Sequence, residues 1–316
     1  MTKKIYKIED LKNLNIKEVR DLYQKYVNPA QANAIKSFGF GQELVSHASG
    51  QWIYLKDGSR ILDFSGGYGV LSHGHNHPRI LNARINFQKE NNMEVHKNYL
   101  SQYTAALSSN ISNLLPGDLN KVYLPNSGAE ANEGAIKLAY KYYEGKKKYL
   151  LHSDISFHGK LLGTGSISSS PEADFKFPGL TNVDKFEYNN ITSLEKKVNE
   201  YKDDIYAIII EPFSASSLRS LSKEFLFKLR KICDDKNIVL IFDEVFTGWA
   251  KTGELFYFLH YENLIPDILT FSKSFGGGKA SISGYVVRDK FFAKSYDSLK
   301  DFNLHSTTYK GFGEEN

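Results

Sequence analysis

The chain has 316 residues and only one cysteine, Cys233, so no internal disulfide can form and the fold must rest on its core. Cys233 closes the run Phe225-Leu226-Phe227-Lys228-Leu229-Arg230-Lys231-Ile232-Cys233. The run has an amphipathic helical pattern, in which a packed thiol is expected rather than a nucleophile. Long hydrophobic runs are also missing, and nothing approaches the ~20 apolar residues that span a bilayer. The first ten residues, Met1 to Asp10, hold charges and no apolar segment, unlike a secretory signal, so cytoplasmic residence is expected. Charge of one sign is absent too. Forty Lys and Arg against 36 Asp and Glu leave a net +4, mixed along the chain. No basic stretch alternates with aromatic residues as a nucleic-acid face would, so neither nucleic acid nor a membrane surface is an expected partner.

Other signatures are incomplete. Gly163-Thr164-Gly165 lacks the third glycine of a dinucleotide fingerprint, and no Walker lysine follows any glycine loop. His73, His75 and His77 alternate, but Gly74 and Pro78 make this stretch a turn. No cysteine or carboxylate set accompanies these histidines at a ligand spacing, and no metal site is expected. Internal repeats and low-complexity linkers are missing as well. Ser214–Ser220 is serine-rich but short, and reads as a loop.

What is present is ample apolar material, 41% of residues, enough for one large domain or a large domain with a small lobe. Residues 1–45 are polar with a helical pattern. Gly50–Leu55 and Arg60–Phe64 read as two strands joined by Lys56-Asp57-Gly58-Ser59, a hairpin turn in which Asp-Gly tolerates positive φ. Turns follow at 65–69 and 74–78, and 79–113 is helical again. From Val122 onward strands and helices alternate. Strands are expected at 122–124, 149–151, 205–210, 238–242, 268–271 and 282–287. Helices are expected at 130–143 and 222–234, the second capped by Ser222. Several strands are apolar throughout, as in a sheet covered on both faces. The expectation is a doubly wound α/β layer.

Chemistry-bearing residues fall at strand ends. Asn126-Ser127-Gly128-Ala129-Glu130 lies between a strand and a helix, where small residues and a helix N-terminus suit a phosphate and equally suit an ordinary capped turn. Phe157-His158-Gly159 follows the next strand. Phe157 is able to stack on a flat ring or to join the core, and His158 has the same two options of site or interior. Glu211 ends the run Ile205–Ile210, as a site carboxylate or a solvated loop charge. Asp243 directly follows five apolar residues, and such a carboxylate needs a cationic or N–H partner. Glu244 faces the other way, and Val245 returns to the Asp243 side. Lys273 follows Leu269-Thr270-Phe271-Ser272 and precedes Gly276-Gly277-Gly278. An amine and a carboxylate, each at the end of a strand, suit a pyridoxal cofactor. The amine takes the aldehyde as an imine, and the carboxylate holds the ring nitrogen protonated. Lys279, beyond the glycines, is a weaker candidate for that amine.

From Trp52 onward these motifs resemble the class III aminotransferases, a fold type I family dependent on pyridoxal 5'-phosphate. The likeness is carried by Asp57-Gly58, Leu62-Asp63-Phe64, Gly74-His75-Asn76-His77-Pro78, Asn126-Ser127-Gly128-Ala129-Glu130-Ala131, Phe157-His158-Gly159, Glu211-Pro212, Phe242-Asp243-Glu244-Val245-Phe246-Thr247-Gly248, and Lys273 before the triple glycine. The resemblance implies a large α/β domain with a mainly parallel sheet over 76–316. Residues 1–75 would be the N-terminal part of a small domain, whose C-terminal portion would be absent or truncated. It implies that Ser127, Gly128 and Ala129 bind the cofactor phosphate and that Phe157 stacks on the ring. Asp243 would pair with the ring nitrogen, Val245 would pack on the ring, and Lys273 would form the internal aldimine. His158 and Glu211 stand with them as candidate cofactor contacts. Thr308 matches a threonine that reaches the phosphate of a neighbouring subunit, which implies a homodimer with shared active sites.

Two departures accompany the likeness. Phe213-Ser214-Ala215-Ser216-Ser217 replaces the segment that usually follows Glu-Pro, and no arginine is assignable to a substrate carboxylate. The expected activity is amino-group transfer between an amine or amino acid and a keto or aldehyde acceptor. Aminomutase, racemase, decarboxylase or lyase chemistry on the same cofactor, and a non-catalytic remnant, are the alternatives.

Overall fold

The computed structural model describes residues 5–169 and 178–316. Residues 1–4 of the N-terminal helical reading lie outside that range. The chain forms two compact units, one covering the chain to Gly66 together with Gly74–His77, the other Gly67–His73 and Pro78–Asn316.

In the first unit three helices, Ile8–Leu11, Ile16–Tyr26 and Pro29–Ser37, precede the antiparallel strands β1 (Val45–Ser49), β2 (Trp52–Leu55) and β3 (Arg60–Leu62). Asn15 and Glu18 form a reciprocal capping box that fixes the start of Ile16–Tyr26. The β2–β3 turn is the expected one: Asp57 Oδ1 accepts from Ser59 N at 2.9 Å, and Gly58 has φ +89°. β1 starts where the expected helical stretch ends and was not anticipated. Its sequence, Val-Ser-His-Ala-Ser, has too few apolar side chains to show a period. Two distant motifs meet here, since His75 Nε2 lies 2.8 Å from Asp63 Oδ2.

The second unit is built on β4 (Leu119–Tyr123), β5 (Tyr149–Ser153), β6 (Val183–Phe186), β7 (Ile205–Ile210), the hairpin of β8 (Phe213–Ser214) and β9 (Arg219–Ser220), β10 (Val239–Asp243), β11 (Ile268–Phe271) and β12 (Gly284–Arg288). Seven of these form one sheet in the order β4-β12-β11-β10-β7-β5-β6. β10 pairs in parallel with β7 and β11, and β5 with β6 and β7, whereas β12 runs antiparallel to both its neighbours. The hairpin β8–β9 stands where a plain serine loop was expected.

The central strands are buried along their whole length, β7 and β10 without an exposed residue. Ile208, Ile210, Leu240, Phe242, Leu269 and Phe271 join one core cluster with Leu226 and Leu229 of the helix Lys223–Asp235. Ala207, Ile209, Val239, Ile241 and Ile268 join another with Ala135, Leu138 and Ala139 of the helix Gly128–Tyr142. Each buried Leu, Ile or Phe contributes roughly 1.5–3 kcal/mol relative to exposure, so both faces stabilise the layer. Cys233 is buried in the first cluster, and burial pushes its thiol far above the ordinary range. Ser222 caps the helix Lys223–Asp235 by accepting from Phe225 N, as expected. The helical stretch 79–113 is two helices, Pro78–Lys89 and Gln102–Asn113. The break includes Asn91 in a left-handed conformation, φ 52°. Among the described residues no helix is long and apolar enough to cross a membrane.

Candidate active site

The parallel strands β4, β5, β7, β10 and β11 end at one edge of the sheet, and each is followed by a residue singled out from the sequence. In open α/β sheets this carboxyl edge is where ligands bind. The register sets Asp243 opposite Thr270, three residues before Lys273. Asp243 and Lys273 are electrostatically coupled, as are Glu211 and Lys273. Burial holds the Lys273 amine below its ordinary range, and these two carboxyls oppose that shift. Lys273 has φ 49°, a left-handed backbone that costs a non-glycine residue on the order of 1 kcal/mol and turns the chain sharply out of β11.

Asp243 is 3% exposed and fully engaged. Its Oδ1 accepts from Val245 N at 3.0 Å. Its Oδ2 accepts from Asn132 Nδ2 at 2.7 Å and from His158 Nδ1 at 2.7 Å. Three donors thus converge on one buried carboxylate. The His158 side chain is wholly buried and touches Asp243, while its Nε2 has no hydrogen-bond partner. His158 is therefore placed as a direct partner of the Asp243 carboxylate.

Asn132 was missed from the sequence. It donates to His158 O at 2.9 Å as well as to Asp243, and it accepts from Thr270 Oγ1 at 2.6 Å. One side chain thereby ties together the helix Gly128–Tyr142, the loop after β5, β10 and β11. The available signal was an asparagine 1% exposed on a helix face otherwise made of Ala131, Ala135, Ile136, Leu138 and Ala139.

Glu211 is 5% exposed and accepts from Phe157 N at 2.9 Å and Ala215 N at 3.0 Å. Burial raises it to about 7, with His158 opposing and Asp243 reinforcing the shift. It is not a solvated loop charge; it pins the backbone that carries the half-buried Phe157. Glu244 points away, as expected from strand alternation. It accepts from Phe258 N and Thr247 Oγ1, each at 2.9 Å, and from Tyr257 N.

Ser127 caps the fifteen-residue helix Gly128–Tyr142 by accepting from Glu130 N at 3.2 Å. The helix N-terminus, opened by small residues, favours an anion. Gly128 is required by close approach: a Cβ there would sit 2.9 Å from both Val245 methyls. Val245 thus packs beside the anion turn, half-buried. Thr308 is exposed, in a segment where Thr307 Oγ1 accepts from Asn126 Nδ2 at 2.9 Å.

The donor set fits pyridoxal phosphate. A buried carboxylate engaged by three donors suits a protonated ring nitrogen, a partly desolvated amine suits an aldehyde, and a glycine-opened helix start suits a phosphate. Comparison with known proteins agrees. The family model for class III aminotransferases matches residues 40–312. The chain belongs to that family and is a pyridoxal-phosphate-dependent aminotransferase.

Solved structures share the fold. A transaminase from the marine bacterium Virgibacillus is 23% identical with TM-score 0.84, over 94% of this chain and 70% of that one. An (S)-enantioselective omega-transaminase from Thermomicrobium roseum is 23% identical with TM-score 0.85, over 99% and 73%. The ornithine aminotransferase from Toxoplasma gondii ME49 is 24% identical with TM-score 0.83, over 97% and 70%.

Proposed function

We propose that this chain moves an amino group between an amine or amino acid and a keto or aldehyde acceptor, with Lys273 as the amine that holds the cofactor covalently. The observation that carries the reading is the pairing of β10 with β11, which sets Asp243 and Lys273 at adjacent strand ends in mutual electrostatic reach. Pyridoxal phosphate, when bound, supplies an electron sink for the carbon that gains or loses the amino group.

The protein supplies the rest. Asp243 holds a proton on the ring nitrogen, and Asn132 and His158 hold Asp243. Ser127, Gly128 and Ala129 receive the phosphate at the helix start. Phe157 and Val245 confine the ring, and Glu211 fixes the Phe157 backbone. Lys273, depressed by burial, is suited to take and return a proton once it is free of the cofactor. Thr308 of a second copy completes the phosphate site in a cytoplasmic homodimer.

The test is the visible absorbance of the cofactor-loaded protein. Lys273→Ala is expected to lose the band of the lysine-bound cofactor, and a variant that keeps the band unchanged removes Lys273 from this role. Product analysis with and without a keto acceptor then separates transfer from lyase or mutase chemistry.

A further inference from the structure

A second lysine lies beside Lys273. Lys251 follows a turn in which Trp249 and Ala250 are both left-handed, φ 66° and 65°. Two consecutive non-glycine residues in that region cost roughly 1–2 kcal/mol each. The turn is held nonetheless. Trp249 N and Ala250 N both donate to Leu255 O, at 2.7 and 3.2 Å. The Trp249 ring stacks on Phe275 with centroids 4.6 Å apart and planes 16° apart. Phe275 is two residues past Lys273, so the turn presenting Lys251 is packed on the turn presenting Lys273.

The side chains converge. Lys251 Nζ donates to Phe246 O at 2.8 Å and lies 5.5 Å from the centroid of the Phe246 ring. Lys273 Nζ lies 4.7 Å from the same centroid. Both are within the range of a cation–π contact, and the two amines share one ring. Gly69 closes the corner, where a Cβ would stand 3.2 Å from the ring and 3.5 Å from Lys251 Cε.

We propose that Lys251 is a positioning residue whose positive charge, held against the Phe246 ring, makes the nitrogen of Lys273 easier to deprotonate. This rests on the reading of Lys273 as the anchoring amine. Coulomb coupling is reciprocal, so charge on either amine disfavours a proton on the other, and the two titrate as a pair. Burial first, and the charge of Lys273 second, bring Lys251 down to about 8, so it still carries its proton at neutral pH. Asp243 and Glu211 face Lys273 from β10 and β7 and favour its charged form. His158 stands behind Asp243 at 2.7 Å. Lys251 counters the two carboxyls.

The experiment titrates the visible absorbance of the full chain loaded with pyridoxal phosphate. The midpoint reports the proton on the Lys273 nitrogen. Lys251→Gln removes the charge and keeps a donor for the Phe246 carbonyl; it is expected to raise the midpoint by about one pH unit, a tenfold gain in proton affinity. Lys251→Arg keeps the charge and is expected to titrate as the wild type does. A Gln midpoint at or below the wild-type value overturns the proposal. If the Gln variant does not fold, Lys251→Met is read by the same criterion. Lys273→Ala is the separate control: a titrating band that persists in it removes the underlying reading, whatever the Lys251 variants do.

Discussion

Three carboxyl groups lie at the ends of β7 and β10, and their neighbours set them apart. Asp243 has three donors, Glu211 has two backbone N–H groups, and Glu244 has two backbone N–H groups and a threonine hydroxyl. Asp243→Asn keeps the shape and loses the charge that holds a ring nitrogen protonated. Turnover is expected to fall by orders of magnitude with cofactor still bound, and near-normal turnover counts against its role.

Glu244 is buried and raised to about 7 from an ordinary value near 4.5, burial outweighing its hydrogen bonds. Between those values the folded chain binds the proton that the unfolded chain has released. Its contribution to stability is therefore present below about 4.5 and is lost as pH rises toward 7. Glu244→Gln cannot titrate, so its denaturation midpoint measured across that window is expected to fall less steeply with pH. An unchanged slope excludes Glu244 as the source.

Asp243, Glu244 and Lys273 were legible because strand alternation and strand ends assign direction from the sequence alone. Asn132 was not, because its importance lies in partners 26, 111 and 138 positions away.

At the scale of elements, the helix Gly128–Tyr142 and the turn after β10 approach as closely as a missing side chain allows. Gly128→Ala would press a methyl onto Val245, and overpacking of this kind costs about 1–3 kcal/mol. The variant is expected to melt several degrees lower and to hold pyridoxal phosphate more weakly, both read from a thermal melt with and without cofactor. An unshifted melt in both conditions means the turn moves aside freely.

Strands buried on both faces, β7, β10 and β11, were legible as unbroken apolar runs. β6, with Asp184 and Lys185 at its centre, and the two-residue strands β8 and β9 were not. They exist through their partners' hydrogen bonds rather than through any pattern of their own.

At the scale of the molecule, Thr308 is exposed to solvent in one copy of the chain, in keeping with the proposed contact in trans. Thr308→Ala removes one hydroxyl from a charged phosphate, which is expected to weaken cofactor retention about tenfold or more while leaving the apo melt in place. Cofactor release followed by dialysis and absorbance checks this, and unchanged retention removes Thr308 from the site.

The reversed direction of β12 has a consequence for the lysine-bearing segment. A parallel neighbour to β11 would have required a crossover of a dozen or more residues, usually a helix laid across the sheet. Because β12 runs back, residues 272–283 return directly through one short 3-10 turn, Lys273–Gly276, and the glycines after it. The Lys273 amine is therefore carried on a short tether between two paired strands, and both of them fix where it stands at the sheet edge.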